Sequence, residues 1–238
     1  RHKPPAEFLY LSTAVSSEWP TVVDVLNAGS PMTSSGVRIA AVGAAANGLP
    51  TMVFDGTDVH LWPLSPAHSS TTKVGIWFWF KPASVTGFQI LYDVEVGADQ
   101  GGVTASRLRV FTNGAALIAQ AYITDANGRS FITGNVLTIS AWAAVYLQYD
   151  SSRGGDANLE LYLGGVSQAL TPSNIGAGGT LGALQVSAGS PPFGGDKNTD
   201  AGSNPIKIGG EIGPNIFAFD DNLTAAEIAA LLLFEAPT

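Results

Sequence analysis

Asp93, Glu95 and Asp99 are the residues whose types and spacing come nearest to doing chemistry together. Asp93 and Glu95 stand two apart within the apolar stretch from Phe88 to Val96, so a strand there places both carboxylates on one face. A carboxylate pair of that kind can cleave a glycosidic bond, one member attacking or activating water while the other donates a proton. A second oxygen-rich group, Asp196, Asn198, Asp200 and Asn204, lies in the polar stretch from Ser190 to Asn204, and Asp125 and Asn127 stand in another turn. Converging oxygens of this type can hold calcium. The same residue types also make Asx-turns with no ion, and that is the plainer expectation for both groups.

Other chemistries are poorly supplied. His2, His60 and His68 are too sparse for a metal triad, and no Gly-x-Ser-x-Gly elbow is present. The absence of cysteine excludes disulfides, thiolate metal sites and a cysteine nucleophile. Five tryptophans could stack on sugar rings. Trp77, Trp79 and Trp142 read as core, whereas Trp62, next to Pro63, is the candidate for an exposed platform. With Asp196, Asn198, Asp200 and Asn204 it forms the expected ligand-binding set. No cofactor is expected other than possible calcium.

Charged residues are only 13% of 238, while Gly and Pro number 28 and 14, as a turn-rich β chain requires. The net charge is 11 − 19 = −8, and no basic stripe with interleaved aromatics is visible, so nucleic acid is not an expected partner. A surface so poor in charge suits contact with sugars or with other subunits. No apolar run reaches the ~18 residues a membrane span needs. Arg1-His2-Lys3-Pro4-Pro5 lacks the apolar core of a signal peptide, although earlier cleavage of one remains compatible with this start.

The elements that must position these groups are mostly strands. Val74 to Phe80 (Val-Gly-Ile-Trp-Phe-Trp-Phe) carries bulky residues on both faces and predicts a strand covered on both sides. Arg107 to Thr112 alternates, with Leu108 and Val110 to one side and Arg107 and Arg109 to the other. Asn113-Gly114 predicts a hairpin to Leu117–Ile123. Trp142 to Tyr149 and Leu159 to Leu163 are further strands, with Gly164-Gly165 turning the latter. Residues 171–204 read as loop-rich, with a strand expected at Leu181 to Val186. Ile206 to Ile208 and Ile216 to Phe219 close the set. Leu223-Thr224-Ala225-Ala226-Glu227-Ile228 is a capping box with a hydrophobic staple, opening a short amphipathic helix.

The order of these motifs resembles that of laminin-G-like, concanavalin A-like lectin domains over roughly residues 50–234. The matching pieces are Phe54-Asp55-Gly56, the aromatic strand ending at Lys81-Pro82, and Ile90-Leu91. They continue with the Asn113-Gly114 hairpin, Trp142 to Asp150, Leu159 to Val166, Ile206 to Gly210 and Leu223 to Ile228. The resemblance implies an all-β fold, a jelly-roll sandwich of two antiparallel sheets with a short C-terminal helix. Residues 1–49 are then an N-terminal segment packing on the sandwich, and 50–238 the domain proper. Gly164 stands where the family has Asp, and Gly213-Pro214-Asn215 replaces its acidic residues, which puts a standard calcium site in doubt. Glycosidases of this superfold carry Glu-x-Asp-x-x-Glu. Asp-x-Glu-x-x-x-Asp here departs from it in order and spacing, so no enzyme activity is expected.

The expectation is a non-catalytic structural or binding module. The main reading is a virion protein, a phage capsid decoration or tail-associated subunit, or another surface-assembly protein. Its partners would be capsid or tail proteins, or its own copies in a homo-oligomer. The alternative is a carbohydrate-binding lectin module of an exported bacterial protein, with a surface glycan as partner. A glycoside hydrolase is a distant third. The expected location is the virion, or the extracellular space and cell surface.

Overall fold

The computed structural model describes residues 8–11, 21–24, 32–33, 41–43, 51–55, 72–96, 106–124, 127–183, 209–219 and 221–234. Among these, strands form two antiparallel sheets of ten and five strands. The larger contains β1 (Phe8–Leu11), β2 (Thr21–Asp24), β3 (Met32–Thr33), β4 (Ala41–Gly43), β5 (Thr51–Asp55) and β6 (Lys73–Pro82). It also takes β11 (Ala143–Asp150), β12 (Leu159–Leu163), β13 (Val166–Ser167) and β15 (Gly209–Phe219). The smaller contains β7 (Phe88–Val96), β8 (Ser106–Asn113), β9 (Ala116–Thr124), β10 (Asn127–Asn135) and β14 (Thr171–Ile175), in the order β14-β10-β9-β8-β7. This is the two-sheet jelly-roll sandwich that the motif order predicts, with one α-helix among the described residues, α1 (Ala225–Phe234).

β6 organises the large sheet. Every residue from Val74 to Phe80 is buried. Val74, Ile76, Phe78 and Phe80 face the small sheet and meet Leu91, Tyr92, Leu108, Val110, Leu117 and Phe131 in the sandwich core. Each such side chain taken out of water contributes about 1.5–3 kcal/mol. Trp77 and Trp79 point the other way, into a second cluster with Tyr146, Phe219, Leu223, Ile228 and Leu231. Gly75 is the exception in this row. A Cβ there would lie 2.9 Å from the Tyr146 hydroxyl oxygen, so glycine leaves room for the tyrosine.

The helix covers that second cluster. Thr224 N–H donates to Glu227 Oε2 (2.8 Å) and Glu227 N–H to Thr224 Oγ1 (3.3 Å), the reciprocal bonds of the expected capping box. Leu223 and Ile228, the staple pair, are both buried in the cluster. Leu223 N–H donates to the buried Tyr146 hydroxyl (3.0 Å), and Asn222 Nδ2 donates to Asp150 Oδ2 (2.8 Å). The Gly164-Gly165 turn has φ of +56° and +78°, as a two-residue hairpin loop with both central residues left-handed requires. A Cβ on Gly165 would sit 2.3 Å from Leu232 Cδ1, so this glycine also admits the helix.

Several readings need correcting. Trp142 is half-buried, packed at the rim of the helix-covered cluster with Lys81 Nζ 5.5 Å from its ring centroid, and the strand begins at Ala143. Thr171–Ile175, read as loop, is β14; among the described residues it pairs with β10 alone, and as an edge strand it tolerates Pro172. Leu181 is buried, but residues 181–183 are not strand, and the rest of that expected strand lies outside the described residues. Gly213-Pro214-Asn215 is a β-bulge within β15, where the neighbouring strand changes from β5 to β1. A Cβ on Gly213 would lie 2.5 Å from Trp79 Cβ, which explains a glycine there.

Candidate functional site

The five-stranded sheet turns Leu108, Val110, Leu117, Ala119 and Phe131 to the core. Alternation therefore sends Arg109 and Phe111 of β8, Ile118, Gln120 and Tyr122 of β9, and Ser130 and Ile132 of β10 to the opposite face. The Asn113-Gly114 hairpin fixes this arrangement. Asn113 pairs with Ala116, and Gly114 alone of the two loop residues has positive φ (+62°), the signature of a type II′ turn. A one-residue slip would reverse every side chain.

Register assembles these residues into rows across the sheet. Asp93, Arg109, Gln120, Ser130 and Ser173 occupy successive partner positions across all five strands. Beside them run Glu95, Arg107, Tyr122, Gly128 and Ile175. On the other flank run Ile90, Phe111, Ile118, Ile132 and Thr171.

The polar row is a connected network. Arg109 Nε donates to Gln120 Oε1 (2.7 Å) and Arg109 Nη2 to the Tyr122 hydroxyl (2.9 Å). That hydroxyl donates to Gln120 Oε1 (3.0 Å), and Gln120 Nε2 donates to Ser130 Oγ (3.3 Å). The guanidinium carbon also lies 5.1 Å from the Phe111 ring centroid and 5.3 Å from that of Tyr122. Phe111 and Ile118 are buried and pack with Ile132, apart from the main core. Phe88, 52% exposed, sets its ring 5.9 Å from that of Phe111. Gly128 lies under this layer; a Cβ there would meet the Ala121 carbonyl oxygen at 2.5 Å and Tyr122 Cα at 2.9 Å.

This face offers positioned donors and acceptors next to an apolar strip. A ligand with hydroxyls on one side and C–H groups on another suits it.

The residues expected from sequence meet different fates. Asp93 and Glu95 do share a face of β7, and register sets them directly across from Arg109 and Arg107. Asp99, Trp62, Asp125, Asp196, Asn198, Asp200, Asn204 and the three histidines lie outside the described residues. Asn127 opens β10, and its Oδ1 accepts the Ala177 N–H at 2.8 Å, a bond between the start of that strand and the turn after β14. Among the described residues no group of three or more His, Cys, Asp or Glu could hold a metal ion. Sequence reading missed Gln120, Tyr122, Ser130, Phe88 and Phe111 as a group. The available signal was the outward position of Arg109, carried across the hairpin to its partner strand.

A second polar network borders the helix on the large sheet. Arg153 Nη1 pairs with Glu160 Oε1 (2.6 Å), which also binds Gln148 and the Tyr162 hydroxyl through Oε2. Lys73 Nζ pairs with Asp221 (2.8 Å), and Asp150 Oδ1 accepts the Ser152 N–H (2.9 Å) and hydroxyl (2.6 Å). Burial pushes the Asp150 carboxyl up, but the Ser152 bonds and the charges of Lys73 and Arg153 outweigh it and hold the group below its ordinary value. Glu160 behaves alike: burial is opposed and exceeded by Arg153, Gln148 and Tyr162. Asp150 and Lys73 tie down the segment that leads into the helix, through Asn222 and Asp221, while Arg153, Glu160, Gln148 and Tyr162 bond to one another.

No protein-family model matches the sequence, and no curated protein matches it. Solved structures do resemble the fold. A sialidase of Trypanosoma rangeli in complex with sialic acid is 13% identical with a TM-score of 0.62, covering 95% of this chain and 32% of the sialidase. The carbohydrate-binding module (CBM40) of Ruminococcus gnavus IT-sialidase, bound to alpha2,3 sialyllactose, is 15% identical with a TM-score of 0.54, covering 76% of this chain and 96% of the module. Botulinum neurotoxin type C, from work on its entry into cells through two ganglioside molecules, is 15% identical with a TM-score of 0.61, covering 96% of this chain and 51% of the toxin chain. The chain thus spans about a third of the length of the sialidase it resembles. At these identities the likeness establishes a lectin-like β-sandwich fold.

Proposed function

We propose that this chain is a carbohydrate-binding, lectin-like module, and that its site is the outward face of the five-stranded sheet. The observation that carries the reading is the Arg109–Tyr122–Gln120–Ser130 network lying against the Phe88–Phe111–Ile118–Ile132 strip. Saccharide hydroxyls both donate and accept, as these amide and hydroxyl groups do, and a sugar ring packs its C–H face on an aromatic. The module and toxin described above carry glycan ligands in their names, which supports the same class of partner and an extracellular or cell-surface location. The motif order supports a laminin-G-like branch of the fold.

The module is non-catalytic in this reading. A glycosidase keeps one carboxyl protonated and the other ionised. Asp93 and Glu95 hold register positions across from Arg109 and Arg107, and their order and spacing depart from the Glu-x-Asp-x-x-Glu of glycosidases that share the superfold. Calcium remains a proposal attached to the loop residues Asp196, Asn198, Asp200 and Asn204. The test of the main reading is a glycan array with the purified chain and its Gln120→Ala variant. Binding that the variant reduces about tenfold is expected; binding indifferent to the variant would place the site elsewhere.

One observation favours the surface-assembly reading: Leu233 of α1 and Val166 of β13 are 88% and 65% exposed. Light scattering decides it, since a strict monomer removes self-assembly through these side chains. The virion role gains no support from the structures that share the fold.

A further inference from the structure

We infer that the saccharide taken by this face is neutral, an inference that rests on the glycan-binding reading above. Among the described residues, two arginines hold positions in these rows, Arg107 and Arg109. Register sets Glu95 directly across from the first and Asp93 directly across from the second. Opposite charges facing one another across a strand pair compensate. The rows therefore carry 2 − 2 = 0 net charge, within a chain whose formal net charge is −8. An anionic ligand would approach against the field of the whole protein and meet no local excess of positive charge. The cation on β10, Arg129, is committed to Asp156, Nε to Oδ1 at 2.9 Å.

Arg109 is itself engaged within the layer. Two of its nitrogens donate to Gln120 and Tyr122, and its plane lies near two rings. Its part is that of a positioning residue, which holds the glutamine and the tyrosine where a ligand can reach them. What the face then presents is neutral: the Gln120 amide, the Tyr122 and Ser130 hydroxyls, and the exposed Phe88 ring. Hydroxyls satisfy such a mixed set of donors and acceptors, whereas a carboxylate or sulfate, which only accepts, does so less well. The chain would on this ground differ in preference from the sialyllactose-bound module that shares its fold.

The experiment is a glycan array with the full chain, holding neutral hexosides, N-acetylhexosaminides and deoxyhexosides beside sialylated, uronic and sulfated glycans. Calorimetry of the best hit at about 50 and about 300 mM NaCl follows. Hits among neutral glycans are expected, with Kd changing less than about twofold across that salt range. Hits confined to acidic glycans, or a Kd that weakens about fivefold or more with salt, would overturn the inference while leaving the glycan reading intact. Silence across the whole array defeats the glycan reading, and the inference falls with it. The double variant Asp93→Asn/Glu95→Gln strips the compensating charge. It is expected to bind acidic glycans at least about fivefold better than the parent. An unchanged response to acidic glycans, in a variant whose circular dichroism matches the parent, would show that the carboxylates are not what excludes them.

Discussion

The two sheets turn opposite kinds of surface away from the shared core. Outside the large sheet lie Trp77, Trp79, Tyr146 and Phe219, sealed by a helix whose Leu223, Ile228 and Leu231 fill the spaces between them. Outside the small sheet lie Arg109, Gln120, Tyr122 and Ser130, tied to one another and covered by no described element. The first is built from close approach, with glycines at 75, 165 and 213 wherever a side chain would collide with its neighbour. The second is built from directional bonds, which hold positions while leaving donors and acceptors reachable. On the proposed reading, stability concentrates in the one face and recognition in the other, and each can be broken without the other.

Truncation within the sealed face should cost most. Trp77→Ala removes a fully buried indole and should destabilise by about 3–5 kcal/mol in urea titration. The fraction that folds should bind glycan as before. A loss of affinity in the folded fraction would show the two faces to be coupled. Gly165→Ala comes next. It demands positive φ of an alanine and drives a methyl into Leu232, so about 1–3 kcal/mol should be lost, with tryptophan fluorescence reporting a loosened helix.

The open face should respond the other way round. Tyr122→Phe deletes one hydroxyl that links Arg109 to Gln120. Glycan affinity should fall about fivefold to tenfold in calorimetry while the melting temperature barely moves. A large drop in stability with unchanged affinity would recast this face as scaffold.

The smallest effect concerns acid. The folded carboxyls of Asp150 and Glu160 sit below their ordinary values, so the stability they lend is fully present above the usual carboxylate range near pH 4. It is lost as pH falls through the lower folded values. Thermal melts should therefore show the helix face loosening below about pH 4, and Asp150→Asn should flatten that dependence. An unchanged acid slope in the variant would remove Asp150 from the account.

Much of the fold is legible in the sequence because it depends on local periodicity. Val74 to Phe80 announces a strand buried on both sides, and the structure buries all seven residues. Thr224 to Glu227 announces its cap through spacing alone, and the bonds form. β14 is not legible in the sequence because Thr-Pro-Ser-Asn-Ile has no apolar alternation and Ile175 as its single aliphatic residue; its pairing with β10 makes it a strand. The site escaped for a related reason. The loops flagged by polar composition, 190–204 and the surroundings of Trp62, lie outside the described residues, so their part is open to test. Gln120, Tyr122 and Ser130 are unremarkable singly and become a group only through register.

The sequence by itself determined the class of fold, the hairpin at Asn113-Gly114, the capped helix and the exclusion of cysteine chemistry, because each depends on residues near one another along the chain. It also determined that Arg109 must leave the core, by simple alternation with Leu108 and Val110. Only the tertiary structure decided what Arg109 would meet. Five strands drawn from positions 88 to 175 had to pair in one register before Asp93, Arg109, Gln120, Ser130 and Ser173 could share a row. Which face the helix would seal was likewise a tertiary outcome, settled by where glycines at 75, 165 and 213 left room for it and for the rings beneath.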